Sequence, residues 1–242
     1  MRLALFVPCY IDQFHSAVAL ATARVLQHLG HEVIVPAGQT CCGQPTFNTG
    51  DWDESRRIAR HFLEVFEPYE TVVAPSGSCV GMVRENYPWL FEGQPELPRA
   101  QAMAPRVHEF TSFLVDCLGV TDLGAMVEAT VTLHDSCHAL RELGIRQQPR
   151  ALLANVQGLT LVEMPQSDVC CGFGGAFSVK YPEISTAMAD DKLANAVSTE
   201  AEFITGVEAS CLMHLRGRIE RRGLPIKTIH IAELLAHGMG LV

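Results

Sequence analysis

The chain has 242 residues, 48% of them hydrophobic and 19% charged, with a formal net charge of −9. That length holds one large domain or two of roughly 120 residues, and a charged fraction below the typical ~25% excludes disorder. The acidic balance, without a long Lys/Arg cluster, argues against nucleic acid or an anionic membrane as partner. The segment Met1–Cys9 reads as too short for a signal peptide, and no apolar run approaches the ~20 residues of a spanning helix, so a cytoplasmic protein is expected.

Arg2 to Pro8 reads as a short strand that stops at Cys9. A helical pattern follows, with Phe14, Val18, Ala21 and Val25 on one face and Gly30 as the stop. Glu32 to Pro36 reads as a buried strand leading to Cys41-Cys42. Asp51, Asp53 and Glu54 lie where a helix N-terminus favours acids, and Ile58, Phe62 and Val65 give that helix an apolar face. Thr71 to Ala74 is the third strand, running into Pro75-Ser76-Gly77-Ser78-Cys79 and another helix. Val107, Phe110, Leu114 and Cys117 then share one helical face, which predicts a buried, inert Cys117.

The second half repeats this order. Thr130 to Leu133 runs into Cys137, Leu159 to Val162 into Cys170-Cys171, and Phe203-Ile204 into Cys211. Apart from Cys117, the nine cysteines form two sets, Cys9, Cys41, Cys42, Cys79 and Cys137, Cys170, Cys171, Cys211. Matching members are 128, 129, 129 and 132 positions apart, the mark of a tandem duplication. Both doublets precede a glycine, Gly43 or Gly172, and the halves close on similar wording at Val107-His108 and Ile229-His230. The join falls between Leu118 and Ala129, which divides the chain into repeats 1–122 and 123–242.

Strands alternating with helices predict an α/β fold, two tandem Rossmann-like units with mainly parallel sheets. In such sheets the carboxyl ends of the strands share one edge, where ligand sites form. Each cysteine of the two sets follows a strand, so folding is expected to gather two thiolate-rich sites. Nine cysteines are too few for a disulfide scaffold, and clustered thiols in a reducing compartment point to metal ligands or catalysts. Thiolates select zinc, copper(I) or iron–sulfur clusters. The C-x2-C knuckles common in structural zinc sites are absent, and so is the ferredoxin run C-x2-C-x2-C-x3-C-P. An iron–sulfur cluster also needs backbone N–H donors, which the stretch Cys171-Gly172-Phe173-Gly174-Gly175 supplies unless it is an ordinary tight turn.

The pattern C-x31-CCG-x35-C, answered in the second half by C-x32-CCG-x38-C, resembles the cysteine-rich CCG domain family, which includes a component of heterodisulfide reductase. His134-Asp135-Ser136-Cys137-His138-Ala139-Leu140-Arg141, Cys170-Cys171-Gly172-Phe173-Gly174-Gly175 and Cys211-Leu212-Met213-His214 resemble its lactate-utilization branch over essentially the whole chain. The resemblance implies iron–sulfur clusters of the [4Fe–4S] type, with zinc in one site as the alternative. It also implies electron transfer in a system that oxidises L-lactate to pyruvate, with lactate utilization proteins B and C as partners. The heterodisulfide reductase type ends each set with C-x-x-C. Here Ser76 and Glu208 stand at the earlier cysteine, which weighs against a second reading, a cluster-based disulfide reductase. A zinc-stapled interaction module is the third.

All eight set members are therefore candidate metal ligands. Gly43, Gly172, Gly174 and Gly175 are candidate amide donors, and His138 and His214 are candidates for hydrogen-bonding cluster sulfur or carrying protons, against a role in satisfying local backbone. Arg141 and Lys180 are candidates for a substrate carboxylate, against ordinary surface charge. No G-x-G-x-x-G follows a strand and no P-loop appears, so no organic redox cofactor is expected.

Overall fold

In the computed structural model, which describes residues 1–242, the first half opens with β1 (Arg2–Leu5), buried from Leu3 to Leu5. Pro8 leads directly into α1 (Cys9–Phe14), so Cys9 is the first helical residue after a strand. His15 leaves helical geometry (φ −140°, ψ 44°) before α2 (Ser16–His28). The single amphipathic helix expected across Phe14 to Val25 is thus two. Val18, Ala21 and Val25 on α2 are buried, whereas Phe14 on α1 is 65% exposed. β2 (Glu32–Ile34) is only partly buried because it forms the edge of the sheet, not its interior as its apolar run predicts.

Past the first cysteine doublet come α3 (Gln44–Asn48) and α4 (Trp52–Phe66). Asp51 caps α4, its side chain accepting from the Glu54 N–H at 3.3 Å, and Ala59, Phe62, Leu63 and Phe66 form the buried face. β3 (Val72–Ala74) is wholly buried and runs into α5 (Gly77–Gly81). A π-helical turn, Met82–Asn86, then α6 (Tyr87–Leu90) and α7 (Leu97–Met103) carry the chain to β4 (Val107–Glu109) and α8 (Phe110–Ser112). α8 continues as a second π-helical turn, Phe113–Cys117, in which the Leu118 N–H reaches the Phe113 carbonyl at 3.0 Å. Cys117 is exposed, contrary to expectation. The spacing assumed one α-helical period, but Val107 lies in a strand and the wider turn carries Cys117 off the face of Phe110 and Leu114.

The second half comprises β5 (Met126–Leu133), α9 (Cys137–Arg141), α10 (Gln147–Ala154), β6 (Gln157–Leu161), α11 (Ala176–Lys180), α12 (Pro182–Val197), β7 (Phe203–Gly206), α13 (Ala209–Arg222), β8 (Lys227–His230) and α14 (Ile231–Gly238). Each half is a four-stranded parallel sheet of the same order, β2-β1-β3-β4 and β6-β5-β7-β8. The α/β architecture of two tandem Rossmann-like units is therefore as expected. The closing strands end on equivalent helix caps, Glu109 and His230, so the His108–His230 match read from the sequence is one residue out.

The halves pack about a pseudo-two-fold. α2 lies on α14 as α10 lies on α8, and α5 lies on α9 as α13 lies on α1. One apolar cluster runs through both halves, joining Leu3, Val18 and Val25 to Val131, Leu152 and Leu234. Near the axis Ser76 and Glu208 form an antiparallel bridge. No helix is long and apolar enough to cross a membrane.

Candidate metal centre

Parallel strands place Cys9, Cys41-Cys42 and Cys79 at one sheet edge although the chain separates them by more than thirty positions. The Cys9 Sγ lies 3.6 Å from the Cys41 Sγ, and the Cys42 Sγ lies 3.4 Å from the Cys79 Sγ. In the other half the Cys137 and Cys171 thiols donate to Cys170, and Cys171 also meets Cys211. The pseudo-two-fold turns the two edges toward each other. All eight sulfurs consequently line one cleft between the halves, which encloses a cavity of about 90 Å³. Every cysteine is free of disulfide.

Each quartet is electrostatically unfinished. The Cys41 thiol is pulled down to about 3 by donation from Cys42 and Cys9, with the Gly43 N–H helping against burial. Its counterpart Cys170 is pulled down to about 2 by Cys137 and Cys171, with the Gly172 N–H in the same role. Their neighbours shift the opposite way. Cys9 and Cys137 are pushed up first by their bonds to Cys41 and Cys170, then by burial. One thiolate forms readily and opposes the next, so a cation is what would let all four ionise.

The glycine of each doublet has a specific task. Gly43 (φ 85°) and Gly172 (φ 88°) hold left-handed backbone that turns their N–H onto the Cys41 and Cys170 sulfurs, at 3.4 and 3.3 Å. A Cβ on Gly172 would also lie 2.5 Å from the Ser185 carbonyl oxygen. Gly174 and Gly175 line the cleft, but their carbonyls accept from Phe177 and Ser178 and open α11. His138 lines the cleft with its Nδ1 3.5 Å from the Cys137 Sγ. His214 lies outside the lining, 3.3 Å from the Ser185 hydroxyl and beside the Phe173 ring. Arg141 and Lys180 are exposed and do not line it.

Two groups escape the sequence pattern. His134 lines the cleft, is 2% exposed, and has neither ring nitrogen bonded to nitrogen or oxygen, only the Cys211 sulfur being engaged by its ring. The repeat carried a signal for it, because three positions before Cys9 stands Phe6, packed among Phe62 and Phe66, where the second half has an imidazole. Asp135 anchors the same strand end. Burial would raise its pKa, but the Arg150 guanidinium at 2.8 and 2.9 Å and the Ser167 hydroxyl at 2.9 Å hold it below the usual carboxylate value.

Ser76 and Glu208, at the positions of the absent fifth cysteines, hold each other. The Ser76 hydroxyl donates to the Glu208 Oε2 at 3.1 Å, the Ser78 N–H donates to it at 2.8 Å, and the Ser210 hydroxyl donates to Oε1 at 2.9 Å. Glu208→Ala would orphan three buried donors, two of them across the join of the halves, so a loss of about 2–4 kcal/mol is expected in denaturant unfolding under reducing conditions. Glu208→Gln, which keeps an acceptor, should lose less. Equal stability of all three proteins would show that the bridge carries no energy.

Comparisons with known proteins bear on the same residues. The family described as "Cysteine-rich domain" (CCG) matches twice, over residues 3–84 and 131–216. Lactate utilization protein A of an Exiguobacterium species is 49% identical over 98% of each chain, and lactate utilization protein A 1 of Bacillus cereus is 46% identical over 97% of this chain and 98% of its own. Among solved structures, a hypothetical protein from Helicobacter pylori superposes with a TM-score of 0.64 at 9% identity. The superposition covers 99% of this chain and 49% of that one, a likeness of fold alone.

Proposed function

The chain belongs to the CCG cysteine-rich domain family, in the branch of lactate utilization protein A, and from that membership we propose that it is an iron–sulfur electron-transfer component of a system oxidising L-lactate to pyruvate. The observation that carries the reading is the convergence of eight disulfide-free cysteines, in two equivalent strand-end sets, on one cleft.

The donor set suits the group. Cys9, Cys41, Cys42 and Cys79 would hold one centre and Cys137, Cys170, Cys171 and Cys211 the other, as soft ligands for iron or zinc. When bound, an iron–sulfur cluster supplies a site that takes up and releases single electrons. The residues around it do the positioning. Gly43 and Gly172 aim N–H groups at sulfur, which offsets the negative charge that thiolates bring. Tyr87 donates its hydroxyl to the Cys42 carbonyl at 2.8 Å and fixes the buried doublet. Ser76 and Glu208, bonded to each other, stand where the heterodisulfide reductase type has further cysteines, so those two positions supply no thiol. The two halves, 1–122 and 123–242, would act as one unit carrying two centres, with lactate utilization proteins B and C as its partners.

Protein purified under strictly anaerobic conditions should contain iron and acid-labile sulfide and show a visible absorption band that dithionite bleaches. Zinc alone, without iron or sulfide, would replace this reading with a metal-stapled interaction module. The isolated chain should not reduce a disulfide substrate.

A further inference from the structure

The two halves are not chemically equal. At matched positions three residues before the first cysteine of each set, the first half has Phe6 and the second has His134. Phe6 is fully buried in the apolar cluster that contains Cys42 and Cys79, packed against the edges of Phe62 and Phe66, and offers that half carbon where the other has an imidazole. His134 is almost as deeply buried, yet neither Nδ1 nor Nε2 meets a nitrogen or oxygen partner, and the only polar group its ring engages is the Cys211 sulfur. Thiol sulfur is a weak hydrogen-bond partner, so a buried imidazole held by it alone is poorly satisfied until something binds it.

What it faces is informative. One ring nitrogen of His134, the Cys171 Sγ and the Cys211 Sγ all lie within 4.8 Å of one another, a spacing at which three donors can reach one metal atom. The backbone is held for the purpose. The His134 N–H donates to the Thr205 carbonyl at 2.9 Å, extending the β5–β7 ladder past its end. Asp135, next in the chain, is clamped by Arg150 and Ser167. These bonds fix the backbone from which the ring projects.

We propose that His134 is a ligand of the second centre, which is therefore a mixed imidazole–thiolate site, whereas the first is bound by thiolate alone. The proposal rests on the reading that the quartets hold metal, and adds to it one nitrogen, in one half only. Imidazole and thiolate together suit iron and zinc alike, so the assignment does not depend on which metal the second site takes.

Pulsed EPR of the dithionite-reduced, anaerobically purified protein should show a nitrogen-14 hyperfine coupling of the strength of a directly bound imidazole. The coupling should persist in Cys42→Ser, which removes the first centre, and in His138→Gln, which removes the neighbouring imidazole. It should vanish in Cys171→Ser and in His134→Cys, the latter expected to keep its metal because it offers a thiolate in place of the nitrogen. If the second site holds zinc, the same assignment is read at the zinc X-ray absorption edge, as imidazole scattering that His134→Cys abolishes. With iron in the second site, a coupling absent from the parent or retained in His134→Cys overturns the proposal while leaving the metal reading intact. With zinc there, imidazole scattering absent from the parent or unchanged in His134→Cys does the same. Protein with no iron, sulfide or zinc at all would overturn both.

Discussion

Cys171→Ser is expected to remove about half of the bound metal, Cys42→Ser the other half, and the double variant nearly all of it, as follows from two centres of four thiolates each. Cys42 and Cys171 are each 2% exposed, and each links two other sulfurs of its quartet. A serine oxygen is shorter-bonded and harder, so it breaks the set where it is most connected. Metal binding to a site absent from the unfolded chain contributes folding energy, so each single variant should also melt earlier than the parent when loaded. Cys117→Ser is the control. Cys117 is exposed, with only the His108 ring at 3.5 Å, and its replacement should change neither metal content nor melting. Iron, sulfide and zinc counts on the four proteins decide the matter. Equal loss in Cys117→Ser, or full loading of Cys171→Ser, would refute the division into two quartets.

The second large effect lies away from the sulfurs, at the helix caps that close the two halves. Glu109 is fully buried, and burial pushes its carboxyl up to about 7, against the donations it accepts from Thr111 and Ser112. Its equivalent, His230, is also fully buried, and burial pushes its imidazole down to about 4. The signs oppose. Folded Glu109 keeps a proton that the unfolded chain releases near 4.5, so its contribution is lost as pH rises toward 7. Folded His230 refuses a proton that the unfolded chain accepts near 6.5, so its contribution is lost as pH falls toward 4. Each is worth about 3 kcal/mol over its window, and together they nearly cancel. Glu109→Gln should therefore gain stability relative to the parent, by about 3 kcal/mol, as pH rises from 4.5 to 7. His230→Asn, which keeps a capping side chain, should lose a similar amount relative to the parent as pH rises from 4 to 6.5. Denaturant midpoints of the metal-free, reduced proteins at pH 4 and 7 measure both. Profiles parallel to the parent's would mean these caps do not titrate as their burial implies.

The chain order of strands and cysteines is enough to read the repeat, the parallel α/β class and the membership of both quartets. Those features are local or periodic: a strand's apolar run, a glycine stop, a doublet at a constant offset. Where the fold departs from the pattern, packing overrules a local preference. Phe14 leaves the core because the helix breaks at His15, β2 is exposed because it takes the sheet's edge, and Cys117 turns outward because its helix widens to π geometry. A hydrophobic pattern gives the period of an element but not its position in a layer or the register of its final turn.

The amino-acid sequence by itself determined which sulfurs belong together, since a ligand set duplicated at a nearly fixed interval leaves its record in spacing alone. Only the tertiary structure decided that the two sets share one cleft, that Ser76 and Glu208 bind each other, and that His134 stands among the sulfurs of Cys171 and Cys211. Those facts depend on how one half is turned against the other. That orientation is set by the helix pairs α2–α14 and α8–α10, contacts between residues far apart in the chain that no local pattern encodes.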